Sequence, residues 1–129
     1  MLVLMLLVIF LFGLLAVRKV RAKNANLVDL KKTALDNSAW NDEVVVVSNN
    51  IANQFETPIL FYALCLLVMQ SGVSDTLFIS LAWLYVALRY LHAYVHISSN
   101  FVPVRMKIFA ASLIVLLVIM IRLFLTTIS

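Results

Sequence analysis

Four long apolar segments dominate this chain of 129 residues. They cover about residues 1–17, 44–70, 76–97 and 103–125. Each is close to the roughly 20 residues that a helix needs to cross a bilayer. Strands with open edges cannot lie in lipid, because their backbone polar groups would have no partners there, so helices are predicted. The sequence therefore predicts an all-α fold, an integral membrane four-helix bundle, with residues 1–129 as a single domain and the lipid bilayer as its surroundings.

The basic residues predict the orientation of the bundle. Six of the ten Lys and Arg residues lie in the polar stretch 18–43, and Arg105 and Lys107 follow the third segment. The positive-inside rule then places loop 18–43 in the cytoplasm and both termini outside. A cleaved signal peptide would carry its charges before the apolar run, whereas here they come after it, so the first segment is predicted to be retained. The basic cluster abuts a membrane segment and has no interleaved aromatic residues, so no nucleic-acid partner is expected.

The second segment contains a proline, and its end carries turn signals. Pro58 removes one backbone hydrogen bond and should kink the helix just beyond Glu56. Gly72 is a plausible C-terminal stop for this helix. Ser74 or Asp75 is the expected N-cap of the third helix.

Polar side chains, which are energetically costly in the hydrocarbon of a bilayer, recur at helical spacing inside the second and third segments. They form two sets on helix faces: Asn49, Asn53 and Glu56 in the second segment, and Tyr85, Arg89, His92 and His96 in the third. A helix with 3.6 residues per turn brings each set to one face. Charged and polar groups at membrane depth mark functional sites by default, because they must face protein or a water-lined cavity.

These residues allow structural and functional interpretations. Glu56 and Arg89 are predicted at similar depth in antiparallel neighbours, where an ion pair would neutralise both; the pair is either a structural contact or part of a pocket open to the cytoplasm. His92 and His96 have the spacing of metal ligands but lack a third ligand at a typical spacing, so no metal site is predicted. Arg105 either snorkels to the inner membrane edge or binds an anion.

Several short motifs together resemble one membrane-protein family. They are Asn53-Gln54-Phe55-Glu56-Thr57-Pro58 with Phe61 and Tyr62, then Arg89-Tyr90-Leu91-His92 with Tyr94, then Asn100 and Arg105. This set is similar to the MAPEG family, the membrane-associated proteins in eicosanoid and glutathione metabolism. The short, bare loops resemble its bacterial branch, which implies the bacterial inner membrane.

The resemblance implies a homotrimer that binds glutathione between protomers, in the cytoplasmic half of the membrane, with a lipophilic small molecule approaching from the bilayer. Carried over by position, Asn53 and Glu56 would hold the glutathione backbone, and Tyr90 and Tyr94 would line the site. The remaining implied residues are Arg89 and His92 as ligand-binding residues and Arg105 as the cation that stabilises the thiolate.

Two departures from the family pattern leave the activity open. Glutathione-using members carry an Arg four residues before the Asn of Asn-x-x-Glu, and this chain has Asn49 there. Arg105 is also a few residues from the expected register of the thiolate-stabilising Arg. The first hypothesis is a glutathione-dependent transferase or peroxidase acting on lipophilic substrates. The alternative is a non-catalytic lipophile-binding or scaffold protein of the same fold. A small transporter subunit is a weaker third alternative, because no broken helices were predicted that would serve alternating access.

Overall fold

The computed structural model describes residues 1–73 and 75–128, and most of them are helical. The α-helices are α1 (Leu2–Asn24), α2 (Leu30–Thr33), α3 (Asp42–Gln54), α4 (Thr57–Ser71), α5 (Thr76–Ile97) and α6 (Val102–Ile128). A single 3₁₀ turn, Asn37–Ala39, is also present in this part of the chain. Helices α1, α5, α6 and the α3–α4 pair are long and apolar enough to cross a membrane. The predicted all-α fold with four spans is confirmed.

The first helix is longer than predicted. Residues 18–24 were expected in the polar loop, but they continue α1 to Asn24. Arg21 and Lys23 occupy the last turn, where cations interact favourably with the negative end of the helix dipole. Arg18 anchors this extension, because its Nη1 donates to the Glu43 carbonyl at the start of α3 at 2.7 Å. The apolar run therefore predicted the span but not the point at which the helix ends.

The second span is broken rather than bent. Helix α3 ends at Gln54 and α4 begins at Thr57, so the interruption lies at Phe55 and Glu56. Pro58 has no N–H to offer the Gln54 carbonyl and stands in the first turn of α4, where helix N–H groups have no intrahelical acceptor. The sequence predicted a kink just beyond Glu56; the break falls at Glu56 itself, slightly earlier and more complete.

The turn between α4 and α5 follows the predicted chemistry. Gly72 adopts the left-handed conformation, with φ of 70°, and ends α4. Asp75 caps α5 by accepting from the Phe78 amide at 2.9 Å, while Ser74, the other predicted cap, lies outside the described residues. Asp75 also pairs with Arg122 near the end of α6, the one salt bridge found in the described part of the chain. This contact ties the ends of two spans together.

Helix α5 occupies the centre of the bundle. It packs against α1, α3 and α6, while α1 also packs on α3 and α4 on α6. The apolar core draws on every span, with buried residues such as Leu4, Leu11, Val47, Phe61, Val86, Leu116 and Ile119. Many Leu, Ile and Phe side chains on the opposite helix faces are exposed. An apolar outer surface of this extent suits a bundle surrounded by lipid.

Candidate functional site

A row of buried polar side chains lies along α5. Tyr85 and Arg89 have no exposed surface, and His92 and His96 are only 3% and 2% exposed. Their spacing brings them to the side of the helix that meets the other spans, as the sequence predicted. Because α5 is the central helix, this row lies in the protein interior and not against lipid.

The second span contributes a different set of residues from the one predicted. Asn50, Gln54 and Thr57 are buried, whereas Asn49 and Glu56 are exposed. The apolar stripe of α3 sets this rotation: Val44, Val47 and Ile51 are buried, and they turn the face with Asn50 and Gln54 inward. Spacing alone could not distinguish the two sets, because both lie at i, i+4 and i+7. The period of the valine stripe was the signal that could have done so.

Amide side chains connect α3 to α5. Asn50 Nδ2 donates to the Ala93 carbonyl of α5 at 3.1 Å. Gln54 Nε2 donates to Asn50 Oδ1 at 3.0 Å. Asn53 instead donates within its own helix, to the Asn49 carbonyl at 2.9 Å. Of these three amides, Asn50 therefore makes the hydrogen bond between the helices.

The buried guanidinium of Arg89 binds the end of α3. Its Nη2 donates to the Asn53 carbonyl at 2.6 Å and to Gln54 Oε1 at 3.3 Å. The predicted ion pair with Glu56 is wrong, because Glu56 stands at the break with its side chain exposed. The last carbonyls of a helix lack amide partners and carry a partial negative charge, so α3 itself supplies acceptors for the cation.

Several nitrogen atoms in this region are buried without a hydrogen-bond partner among the described residues. They are Nε and Nη1 of Arg89, Nε2 of His92 and Nδ1 of His96. The rings of His92 and His96 lie edge to face with centroids 5.8 Å apart, and the Phe109 ring of α6 lies 5.8 Å from His92. Unpaired buried polar atoms are costly, so a cluster of them is a candidate ligand site. Within residues 1–73 and 75–128, no group of three potential metal ligands is found.

Arg105 joins this cluster from the first turns of α6. Its backbone carbonyl lies 3.3 Å from His92 Nδ1. Its half-buried side chain donates from Nη1 to Asn100 Oδ1 at 2.7 Å. Asn100 has a positive φ of 48°, a conformation that asparagine tolerates better than most residues, and it lies in the turn between α5 and α6. The turn therefore holds the Arg105 guanidinium on the same side of the bundle as the histidines.

The two tyrosines lie elsewhere on α5. Tyr90 and Tyr94 are 38% and 66% exposed, on the side of α5 that faces α1. The Tyr90 hydroxyl donates to the Val3 carbonyl of α1 at 2.7 Å. Together with Leu6, Phe10 and neighbouring residues, the tyrosines line an apolar groove of about 610 Å³. The structure thus brings Arg89, His92 and Arg105 together but leaves Glu56, Tyr90 and Tyr94 on the surface of the chain.

Four apolar spans with a buried cluster of Arg, His and amide side chains define an integral membrane protein with a polar interior site. The family comparison specifies this class further, since the model of the MAPEG family matches residues 1–125. The chain belongs to the MAPEG family. Comparison with curated proteins finds no match, and comparison with solved structures finds none either.

Proposed function

We propose that this protein is a glutathione-dependent transferase or peroxidase that acts on lipophilic substrates and works as a homotrimer in the bacterial inner membrane. The observation that carries the proposal is the set of buried nitrogen atoms on Arg89, His92 and His96, next to Arg105, that have no partner within residues 1–73 and 75–128. Membership of a family that includes glutathione transferases and peroxidases supports it.

The chemistry of glutathione complements this cluster. It is a tripeptide with carboxylates at both ends, one free amino group and one thiol. Carboxylates are attracted to guanidinium groups, and because Arg89 has no exposed surface, its charge would attract a carboxylate from inside the bundle rather than by direct contact. Asn53 and Glu56 stand at the helix break, where the Glu56 carboxylate would accept from the amino group. The guanidinium groups of Arg89 and Arg105 outnumber the single carboxylate of Glu56, so the charge of this region is net positive, which suits an acidic peptide.

Arg105 would act on the sulfur. A cation beside a thiol favours the thiolate, which is the nucleophile. In the transferase reaction the thiol proton passes to solvent, the thiolate sulfur bonds to an electrophilic carbon, and the leaving group departs with the electron pair of its broken bond. In the peroxidase reaction the thiolate attacks a hydroperoxide oxygen and releases an alcohol, and a second glutathione reduces the resulting sulfenic acid to yield the disulfide and water.

Exposed polar groups on the membrane-spanning surface support the trimer. Asn49 and Glu56 are exposed on a protomer whose neighbouring outer surfaces are apolar. An ionisable side chain facing lipid costs several kcal/mol, on the order of 3 at the bilayer centre. A second copy packed over this face would remove that cost and would enclose the ligand between protomers. The groove beside Tyr90 and Tyr94 opens toward lipid and suits a lipophilic substrate.

One residue favours the second candidate function, a non-catalytic lipophile-binding protein. Asn49 stands where glutathione-using members carry an Arg, so one carboxylate contact is missing. The two candidates differ in their response to glutathione. The protein in detergent micelles or nanodiscs should conjugate a chlorinated nitrobenzene, or reduce a lipid hydroperoxide, and its melting temperature should rise with millimolar glutathione.

Two arginines of α6 provide a matched comparison for this experiment. Arg105→Gln should abolish turnover, whereas Arg122→Gln, a change of the same kind at the opposite end of the helix, should leave it intact. Absence of both turnover and thermal stabilisation in the unmodified protein would exclude the enzyme and favour the lipophile-binding alternative. The trimer is tested separately, by the mass of the protein in native mass spectrometry.

A further inference from the structure

We propose that Tyr85 and Arg89 are positioning residues that hold the two sides of the helix break and thereby place Asn53 and Glu56. The expected effect on glutathione binding rests on the proposed function, whereas the expected effect on the structure of the helix break does not. Both residues belong to α5, the helix that also carries His92 of the candidate site.

Two hydrogen bonds bracket the break. Arg89 Nη2 donates to the Asn53 carbonyl in the last turn of α3 at 2.6 Å. The Tyr85 hydroxyl donates to Thr57 Oγ1, in the first residue of α4, at 3.1 Å. Donors four residues apart on a helix are separated by about 6 Å along its axis. The acceptors Asn53 and Thr57 are also four residues apart, so each donor holds one helix end.

The two donors are themselves rigidly held. Neither Tyr85 nor Arg89 has exposed surface. The Tyr85 ring stacks on Phe61 of α4, with centroids 4.5 Å apart and planes inclined by 19°. The Arg89 guanidinium lies 5.9 Å from the Phe109 ring of α6 and also donates to Gln54. Because these side chains are packed on several sides, they can fix the backbone that they bind.

The break has little local support of its own. Glu56, the N-cap of α4, has φ of −94° and ψ of −102° and makes no side-chain capping bond within the described residues. Pro58 cannot restore the helical bond to the Gln54 carbonyl. The relative placement of α3 and α4 therefore depends on contacts from outside the span. Helix α5 supplies one such contact on each side of Glu56.

A double-mutant cycle tests the Tyr85 contact. Tyr85→Phe and Thr57→Val each remove one polar group and keep nearly the same shape. Either change should accelerate amide hydrogen exchange in the segment 55–61 about tenfold, as expected for the loss of one hydrogen bond. The double variant should show no further acceleration, because both changes remove the same interaction. Ser112→Ala is the matched control, since it removes a buried hydroxyl that bonds only within α6.

The Arg89 contact is tested by rescue. Arg89→Gln should accelerate exchange at the break about tenfold, whereas Arg89→Lys should recover much of this loss because it keeps the charge. Tyr85→Phe, which removes no group assigned to the ligand, should weaken glutathione binding through its effect on the break alone. Amide hydrogen exchange in the C-terminal half of α6 is the internal reference and should not change. A purely structural loss would accelerate exchange in α6 as well and would leave the dissociation constant of folded protein unaltered.

The outcomes separate this proposal from the proposed function. Unchanged exchange at the break in both Tyr85→Phe and Arg89→Gln would overturn the positioning role. The positioning role of Tyr85 would also be overturned if the effects of Tyr85→Phe and Thr57→Val add in the double variant, because the two hydroxyls would then not interact. If the unmodified protein binds no glutathione, the proposed function fails, but the exchange measurements still decide whether α5 holds the break.

Discussion

Arg89 and Asn53 are joined by a hydrogen bond of 2.6 Å from a fully buried guanidinium to a backbone carbonyl. The carbonyl belongs to the last turn of α3, whose dipole places a partial negative charge there. This arrangement explains how an arginine can lie inside the bundle without an acidic partner among the described residues. It also explains why the predicted pair with Glu56 is absent: the broken helix end, rather than a carboxylate, receives the cation.

Arg89 should therefore matter for stability, and Glu56 should not. Arg89→Met leaves the Asn53 carbonyl and the Gln54 amide oxygen without their donor, and we expect a loss of about 2 kcal/mol in the free energy of unfolding. In the monomer, Glu56→Gln changes an exposed group and should alter this free energy by less than about 0.5 kcal/mol. Denaturant titration of the folded protein in detergent measures both. Equal destabilisation by the two variants would restore the ion-pair interpretation.

Asp75 should make the stability of the folded protein depend on pH in the acid range. The Phe78 amide, and then Arg122, hold the pKa of this carboxyl below its ordinary value of 3.8. The unfolded chain therefore binds the proton more readily than the folded one. The contribution of the carboxylate to stability is fully present above about pH 4 and is lost as the pH falls through the lowered value in the folded state.

Asp75→Asn tests this dependence, because asparagine can still accept from the Phe78 amide but does not titrate. The melting temperature of the variant should vary less with pH below about 4 than that of the unmodified protein. The absence of any difference between the two profiles would show that Asp75 does not contribute. Arg122→Gln should give an intermediate profile, because the Phe78 hydrogen bond remains.

Asn49→Arg should strengthen glutathione binding. The position is exposed, so a longer side chain can be accommodated, and a guanidinium there would restore the missing carboxylate contact. We expect affinity to rise about tenfold, which corresponds to roughly 1.4 kcal/mol. Isothermal titration calorimetry measures this change, with Asn49→Gln as the uncharged control. Equal affinities for the two variants would mean that the ligand carboxylate lies elsewhere.

Asn100→Gly, which keeps the left-handed backbone conformation, should reduce the thiolate that Arg105 stabilises. The change removes the Oδ1 acceptor that holds Arg105 Nη1 and leaves the cation in place but mobile. The fraction of bound glutathione present as thiolate, read from its ultraviolet absorbance, should fall, and it should fall further in Arg105→Gln. Ser99→Ala in the same turn is the control. A thiolate fraction unchanged in Arg105→Gln would exclude this arginine from the role.

Much of the architecture followed from short-range chemistry. Four apolar runs implied four spanning helices because lipid offers no partners for an unpaired backbone. Gly72 and Asp75 marked the end of one helix and the start of the next because their conformational and capping preferences are local. The motifs around Asn53, Arg89 and Arg105 indicated the family without a structure, and the family is confirmed.

Tertiary structure decided which polar residues meet. The rotation of α3 depends on how Val44, Val47 and Ile51 pack, so Asn50 and Gln54 face inward rather than their neighbours. The partner of Arg89 depends on where the chain breaks at Glu56, which brings a helix end and not a carboxylate to the guanidinium. Helical spacing defines faces of one helix, but only packing between helices determines which face is buried and what each buried charge contacts.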